Sequence, residues 1–187
     1  MASKTRTGVG RRASGVGSRA SGVGSRESAR PTARLTHVGA DGTARMVDVG
    51  DKAVTAREAV ARGSITMSAE ARRLIRAGAV KKGDPLQAAR LAGIMAAKRT
   101  SELIPLCHPL LLSHISVQLT ATRTGYGIES RVRTSGQTGV EMEALTAVAV
   151  AGLTIYDMLK AVDRTMVIGE IRVTEKRGGK SGELLRP

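Results

Sequence analysis

Five places in the sequence combine residue types and spacings that could do chemistry. Asp157 and Lys160 stand three apart, on one helical face, at the end of the most apolar stretch of the chain. An i,i+3 ion pair would account for them. Their neighbours Ile155, Met158, Leu159 and Val162 suggest partial desolvation, which shifts pKa values and poises a lysine for proton transfer. Lys82 lies in the run Lys81-Lys82-Gly83-Asp84, just before a helix start. There a lysine could hold a phosphate beside free helix N–H groups, or belong to a solvated turn with Asp84 as the cap.

Cys107 and His108 sit in a proline-flanked loop. Histidine titrates near neutral pH, and loops often present catalytic groups. The adjacent side chains point apart in an extended chain, so they do not form a nucleophilic dyad; a polar surface histidine is the plainer reading. Glu141-Met142-Glu143 opens an apolar helix. Two carboxylates there suit the helix dipole, and they could also do acid–base work or bind a guanidine-like edge. The basic loop 176–182 contains Gly178-Gly179-Lys180-Ser181-Gly182. It fails the GxxxxGK[ST] phosphate-loop pattern at Thr174, so it reads either as a flexible lid bringing Lys180 to a phosphate or as a disordered end.

The elements that must position these groups follow from periodicity. Residues 45–49 alternate polar and apolar and predict a strand. Residues 55–62 predict a short helix, with Thr55 as N-cap and Glu58 completing a capping box. Residues 68–78 predict a helix capped by Ser68 and stopped by Gly78. Asp84 and Pro85 open a third, running towards Lys98. The segment 103–109 is held extended by two prolines. Ile115, Val117 and Leu119, then Ile128, Ser130 and Val132, alternate on either side of a turn at 124–127 and predict an antiparallel hairpin. Residues 140–162 predict one long helix, apolar on nearly every face, buried in the fold or at a subunit interface. Residues 167–174 predict a closing strand. This order implies an α+β class with an antiparallel sheet and helices packed on one face, ferredoxin-like.

A geometric constraint follows. Glu143 and Asp157 are fourteen residues apart, about 21 Å on a straight helix at 1.5 Å per residue. They cannot touch one small substrate from one unbroken helix. A shared site must draw on two chains, or the helix must break.

Composition bounds the function. The chain has 187 residues, 41% hydrophobic but only 1% aromatic. Base-stacking nucleic-acid modules are disfavoured, since only Tyr126 and Tyr156 could stack. One cysteine and three histidines exclude an internal disulfide and a zinc finger, and no metal-ligand spacing appears. No charge-free apolar run is long enough to predict a membrane span.

The net charge of +14 is uneven: residues 1–34 hold eight Lys/Arg against one Glu, about half of it. That segment repeats RASGVGS at 12–18 and 19–25. It lacks the apolar surface needed to order itself, so it reads as a disordered basic tail, with the folded domain over 35–187. A nucleic-acid-binding arm is the rival functional class; an organellar presequence is disfavoured by the missing apolar face.

Together and in order, Lys98-Arg-Thr, LIPLCHPL at 103–110, GVEMEALT at 139–146, LTIYDM at 153–158, Lys160-Ala-Val and GGKSG at 178–182 resemble the cyclic pyranopterin monophosphate synthase family. This is accessory protein C of molybdenum cofactor biosynthesis. The openings LTHV at 35–38 and MVDV at 46–49 also resemble the family's start.

The resemblance implies conversion of 3′,8-cyclo-7,8-dihydroguanosine triphosphate to cyclic pyranopterin monophosphate, with pyrophosphate released. It implies a cytoplasmic homohexamer of three dimers with sites at the dimer interface and no membrane partner. It implies no required cofactor, although a divalent cation could accompany the pyrophosphate. By the same resemblance Asp157, Lys82 and Lys160 are catalytic. Leu106, Cys107, His108, Met142 and Glu143 bind substrate, supported by Glu141 and Lys98, with Lys180 from the glycine-rich block.

Overall fold

The computed structural model describes residues 42–179 and 182–186. The tail at 1–34 and the opening at 35–38 lie outside them. The elements are β1 (Thr55–Thr66), α1 (Ala69–Arg76), α2 (Pro85–Lys98), α3 (Thr100–Leu103), β2 (Leu112–Ala121), β3 (Gly125–Gly136), α4 (Glu141–Leu159), β4 (Val167–Arg177) and β5 (Leu184–Leu185). All strand pairs are antiparallel, in the spatial order β2-β3-β1-β4-β5. Without the short β5, this is a β-α-β-β-α-β arrangement with the first strand inside the sheet, the α+β ferredoxin-like fold expected.

Two local expectations are corrected. The predicted helix at 55–62 is the start of β1. Its Ala, Arg and Glu favour helix locally, but its burial follows period two. Ala59, Ala61 and Ile65 are fully buried in the core. Glu58 and Arg62 point to the opposite face and pair across strands. Arg131 reaches Glu58 at 2.6 Å, Arg62 reaches Glu129 at 2.7 Å and Glu175 at 3.3 Å, and Arg133 also bonds Glu58. Val60, in register with Arg131 and Glu175, is fully covered. Tertiary pairing therefore overrides the local helix preference.

The second correction concerns residues 45–49, which form no strand. Their alternation has another cause: half-buried Val47 and Val49 line a cavity, while Met46 and Asp48 face solvent.

The helices follow their signals. Ser68 caps α1, accepting from the Ala71 amide at 3.2 Å. Asp84 caps α2, accepting from the Leu86 and Gln87 amides at 2.8 and 3.2 Å. The hairpin turn spans 122–124, so Gly125 already belongs to β3. A Cβ there would lie 1.9 Å from the Ile65 carbonyl oxygen, which only glycine avoids.

Among the described residues, α4 is the one helix long and apolar enough to cross a membrane. Its Ala144, Ala147, Val148, Ala151, Ile155 and Leu159 are fully buried against the sheet and α2. Close approach is built in: a Cβ at Gly93 of α2 would lie 2.8 Å from the Ala147 carbonyl oxygen of α4. The Ser130 hydroxyl on β3 donates to the Ala144 carbonyl at 2.7 Å.

Candidate active site

The candidate residues gather into two clusters at opposite ends of α4. At its C-terminal end, Lys82 and Lys160 converge on Asp157. Lys160 Nζ donates to Asp157 Oδ1 at 2.7 Å. Lys82 Nζ donates to Oδ2 at 3.0 Å and to the Asp157 carbonyl at 2.9 Å. Lys160 stands on the helical face of Asp157, in the C-cap position of α4. Lys82 comes from the connection between α1 and α2. Left-handed Gly83 (φ 98°) and the bond from its amide to the Val80 carbonyl shape that turn. Asp84 pins its far end as the cap of α2.

The two ammonium groups hold the Asp157 carboxyl below its ordinary range, the Lys160 bond first and the Lys82 bond second. Asp157 in turn raises Lys160. The expected desolvation is absent in the single chain. Side-chain exposures of Lys82, Asp157 and Lys160 are 51%, 57% and 54%. Ile155 and Leu159 turn into the core, so their apolar character concerns the opposite face of the helix. Electrostatics alone therefore makes this a charged triad: an ionised carboxylate and a lysine that holds its proton firmly.

At the N-terminal end of α4 lies a cavity of about 350 Å³. The loop after α3 contributes Leu106, Cys107 and His108, and the first turn of α4 contributes Glu141, Met142 and Glu143. Glu143 is only 4% exposed. Burial, and then the nearby Glu141 charge, push its carboxyl up to about 6, although its backbone hydrogen bond works the other way. A carboxyl near neutrality suits proton transfer. Burial, with the Glu143 charge second, raises the Cys107 thiol, so this cysteine is no activated nucleophile.

A second cavity of about 730 Å³ shares Lys52, Thr138, Gly139 and Glu141 with the first. Arg57 and Lys176 add positive charge to its lining. Lys176 pairs with Glu141, and Arg57 donates to the Gly136 and Gln137 carbonyls at 2.8 and 3.0 Å. Sequence reading missed the lining role of Lys52, Arg57, Thr138 and Gly139. The Val47/Val49 alternation marked the first cavity's wall, and Lys176 was visible only as the start of a basic loop. That residue belongs instead to β4, which continues to Arg177; residues 180 and 181 of the basic loop lie outside the described residues.

One other candidate, Lys98, stands apart. It is exposed in the last turn of α2 and lines neither cavity. Lys180 lies outside the described residues. α4 itself is continuous from Glu141 to Leu159, so the second way for Glu143 and Asp157 to share a site, a broken helix, is closed.

A profile of the MoaC family matches residues 46–179, which include both clusters. Cyclic pyranopterin monophosphate synthase of Chloroflexus aurantiacus is 65% identical over 155 residues, covering 82% of this chain and 95% of the relative. The synthase of the same name from Pelotomaculum thermopropionicum is 62% identical over 150 residues, covering 79% and 88%. That of Roseiflexus castenholzii is 60% identical over 153 residues, covering 81% and 97%.

Proposed function

The chain belongs to the MoaC family, and on that premise we propose that it is a cyclic pyranopterin monophosphate synthase, a lyase of molybdenum cofactor biosynthesis. Its substrate is 3′,8-cyclo-7,8-dihydroguanosine triphosphate and its products are cyclic pyranopterin monophosphate and pyrophosphate. The observation that carries the reading is the convergence of Lys82 and Lys160 on Asp157, in a chain 65% identical over 155 residues to a synthase of that name.

The residue chemistry suits the reaction. Opening the five-membered ring of the purine and closing a pterin requires several proton transfers, and closing the cyclic phosphate expels pyrophosphate. Lys82 and Lys160 shuttle protons, Lys160 starting in the protonated form that Asp157 favours. Lys82 and Lys160 also supply positive charge where the leaving pyrophosphate develops negative charge. Asp157 orients both ammonium groups. Glu143, titrating near neutrality, gives or takes a proton at the other wall. Glu141 accepts from the guanidine-like edge of the base, His108 donates to the phosphate part, and Lys98 and Lys180 lend positive charge.

The spacing of Glu143 and Asp157 on continuous α4 supports a site composed of two chains: the Glu143 cavity of one and the lysine–aspartate cluster of its partner. A trimer of such dimers in the cytoplasm is the corresponding assembly. This reading includes no resident cofactor; a divalent cation, where one takes part, arrives as the counter-ion of the phosphates. Nucleic-acid binding through residues 1–34 would be a separate property of the tail. Following pyrophosphate and pterin together during incubation with the cyclised nucleotide tests the proposal.

A further inference from the structure

Asp163 is a buried carboxylate that neither cluster uses, 6% exposed, in the connection between α4 and β4. Its Oδ2 accepts from the Ser68 amide at 2.6 Å. Its Oδ1 accepts from the Thr165 amide at 2.8 Å and from the Thr165 hydroxyl at 2.7 Å. These donors, Ser68 first, hold the carboxyl down at about 2, so it is ionised wherever the protein works.

The position of its partners matters more than its charge. Ser68 is the N-cap of α1, and α1 leads directly into the turn that carries Lys82. On the other side, Asp163 follows Lys160 by three residues, and its own amide donates to the Leu159 carbonyl at 3.0 Å at the end of α4. One buried carboxylate therefore joins the exit of α4, which carries Asp157 and Lys160, to the start of the segment that carries Lys82. The exposed Lys82–Asp157 pair spans the same two segments. A solvated ion pair of long side chains does not fix its own geometry. A buried carboxylate with three donors does.

We propose that Asp163 is a positioning residue for the lysine–aspartate cluster: by clamping the connection after α4 to the N-terminus of α1, it sets where Lys82 meets Asp157. Its effect on turnover rests on the proposed reaction; its effect on the cluster's titration does not.

The test uses the full chain with 13C-labelled aspartate carboxyls, as the parent, as Asp163→Asn and as Thr165→Val. In folded Asp163→Asn, the Asp157 carboxyl is expected to titrate at higher pH than in the parent, because Lys82 no longer grips it. Turnover of the cyclised nucleotide is expected to fall about tenfold or more in kcat, with a smaller change in KM, as for a catalytic group displaced by a fraction of an ångström. Thr165→Val keeps the carboxylate and moves both readouts in the same direction, less far. Should Asp163→Asn fail to fold, Thr165→Val decides by the same two readouts. An Asp157 titration unchanged from the parent overturns the proposal, as does an unchanged kcat in an enzyme whose parent turns over. A parent without turnover defeats the proposed reaction instead, and the titration still decides the clamp.

Discussion

Glu143 and Asp157 stand fourteen residues apart on one continuous helix, so each faces a different cluster. At 1.5 Å per residue the helix separates them by about 21 Å, more than one small substrate spans. A chain that needs both for one reaction must meet a second copy of itself.

Complementation between variants follows from this spacing. Glu143→Ala and Asp157→Ala are each expected to lose turnover alone. When equal amounts are unfolded and reassembled together, half of the pairs hold one of each, and each such pair carries one site with both wild-type clusters. About a quarter of the wild-type activity is expected to return by this symmetry count. Mixtures as inactive as the separate variants would mean that each site lies within one chain.

Glu143 is expected to make stability depend on pH. Its folded value of about 6 exceeds the ordinary value of 4.5, so the folded chain binds that proton more tightly than the unfolded chain. The associated stability is complete below about pH 4.5 and is lost as pH rises through about 6. Glu143→Gln removes the buried charge, so at pH 7.5 the variant is expected to be more stable by about 2 kcal/mol. The difference should vanish near pH 4, and turnover should be lost throughout. Denaturant melts at the two pH values check the sign.

Gly93 is expected to tolerate no side chain. A Cβ would lie 2.8 Å from the Ala147 carbonyl oxygen and 3.1 Å from Val117 Cγ2. Gly93→Ala must push α2 away from α4 and the sheet, at a cost of about 1–3 kcal/mol, although alanine is the better helix former. A melting temperature at or above that of the parent would contradict this packing.

Much of this fold can be read from the sequence because the signals are local. Ser68, Asp84 and Pro85 mark helix starts, and the alternation around Ile115 to Val132 marks the hairpin. β1 is the exception. Its local residues favour helix, and what makes it a strand is distant: Arg131 and Arg133 for Glu58, Glu129 for Arg62, and α4 packed on its small residues. The site divides in the same way. Asp157 and Lys160 announce themselves by their i,i+3 spacing, but Lys82 is 75 residues from Asp157 in the chain and joins it only through the turn before α2. The spacing could not show that the cluster is exposed, because it does not say which helical face is buried.

The basic tail is expected to be dispensable for catalysis. The family profile begins at residue 46, beyond the repeats at 12–25. Protein lacking residues 1–34 should keep its turnover and lose any general affinity for nucleic acid, measured as salt-dependent binding. Loss of turnover on deletion would assign the tail a part in the site.

The most direct measurement is turnover of 3′,8-cyclo-7,8-dihydroguanosine triphosphate by the purified full chain, with pyrophosphate and pterin followed together. Equal release of both is expected. In Asp157→Ala it should fall by at least about a hundredfold, with the melting temperature unchanged because the residue is exposed. A folded, assembled protein that releases neither product, or an Asp157→Ala variant that keeps the parent's rate, would contradict the account.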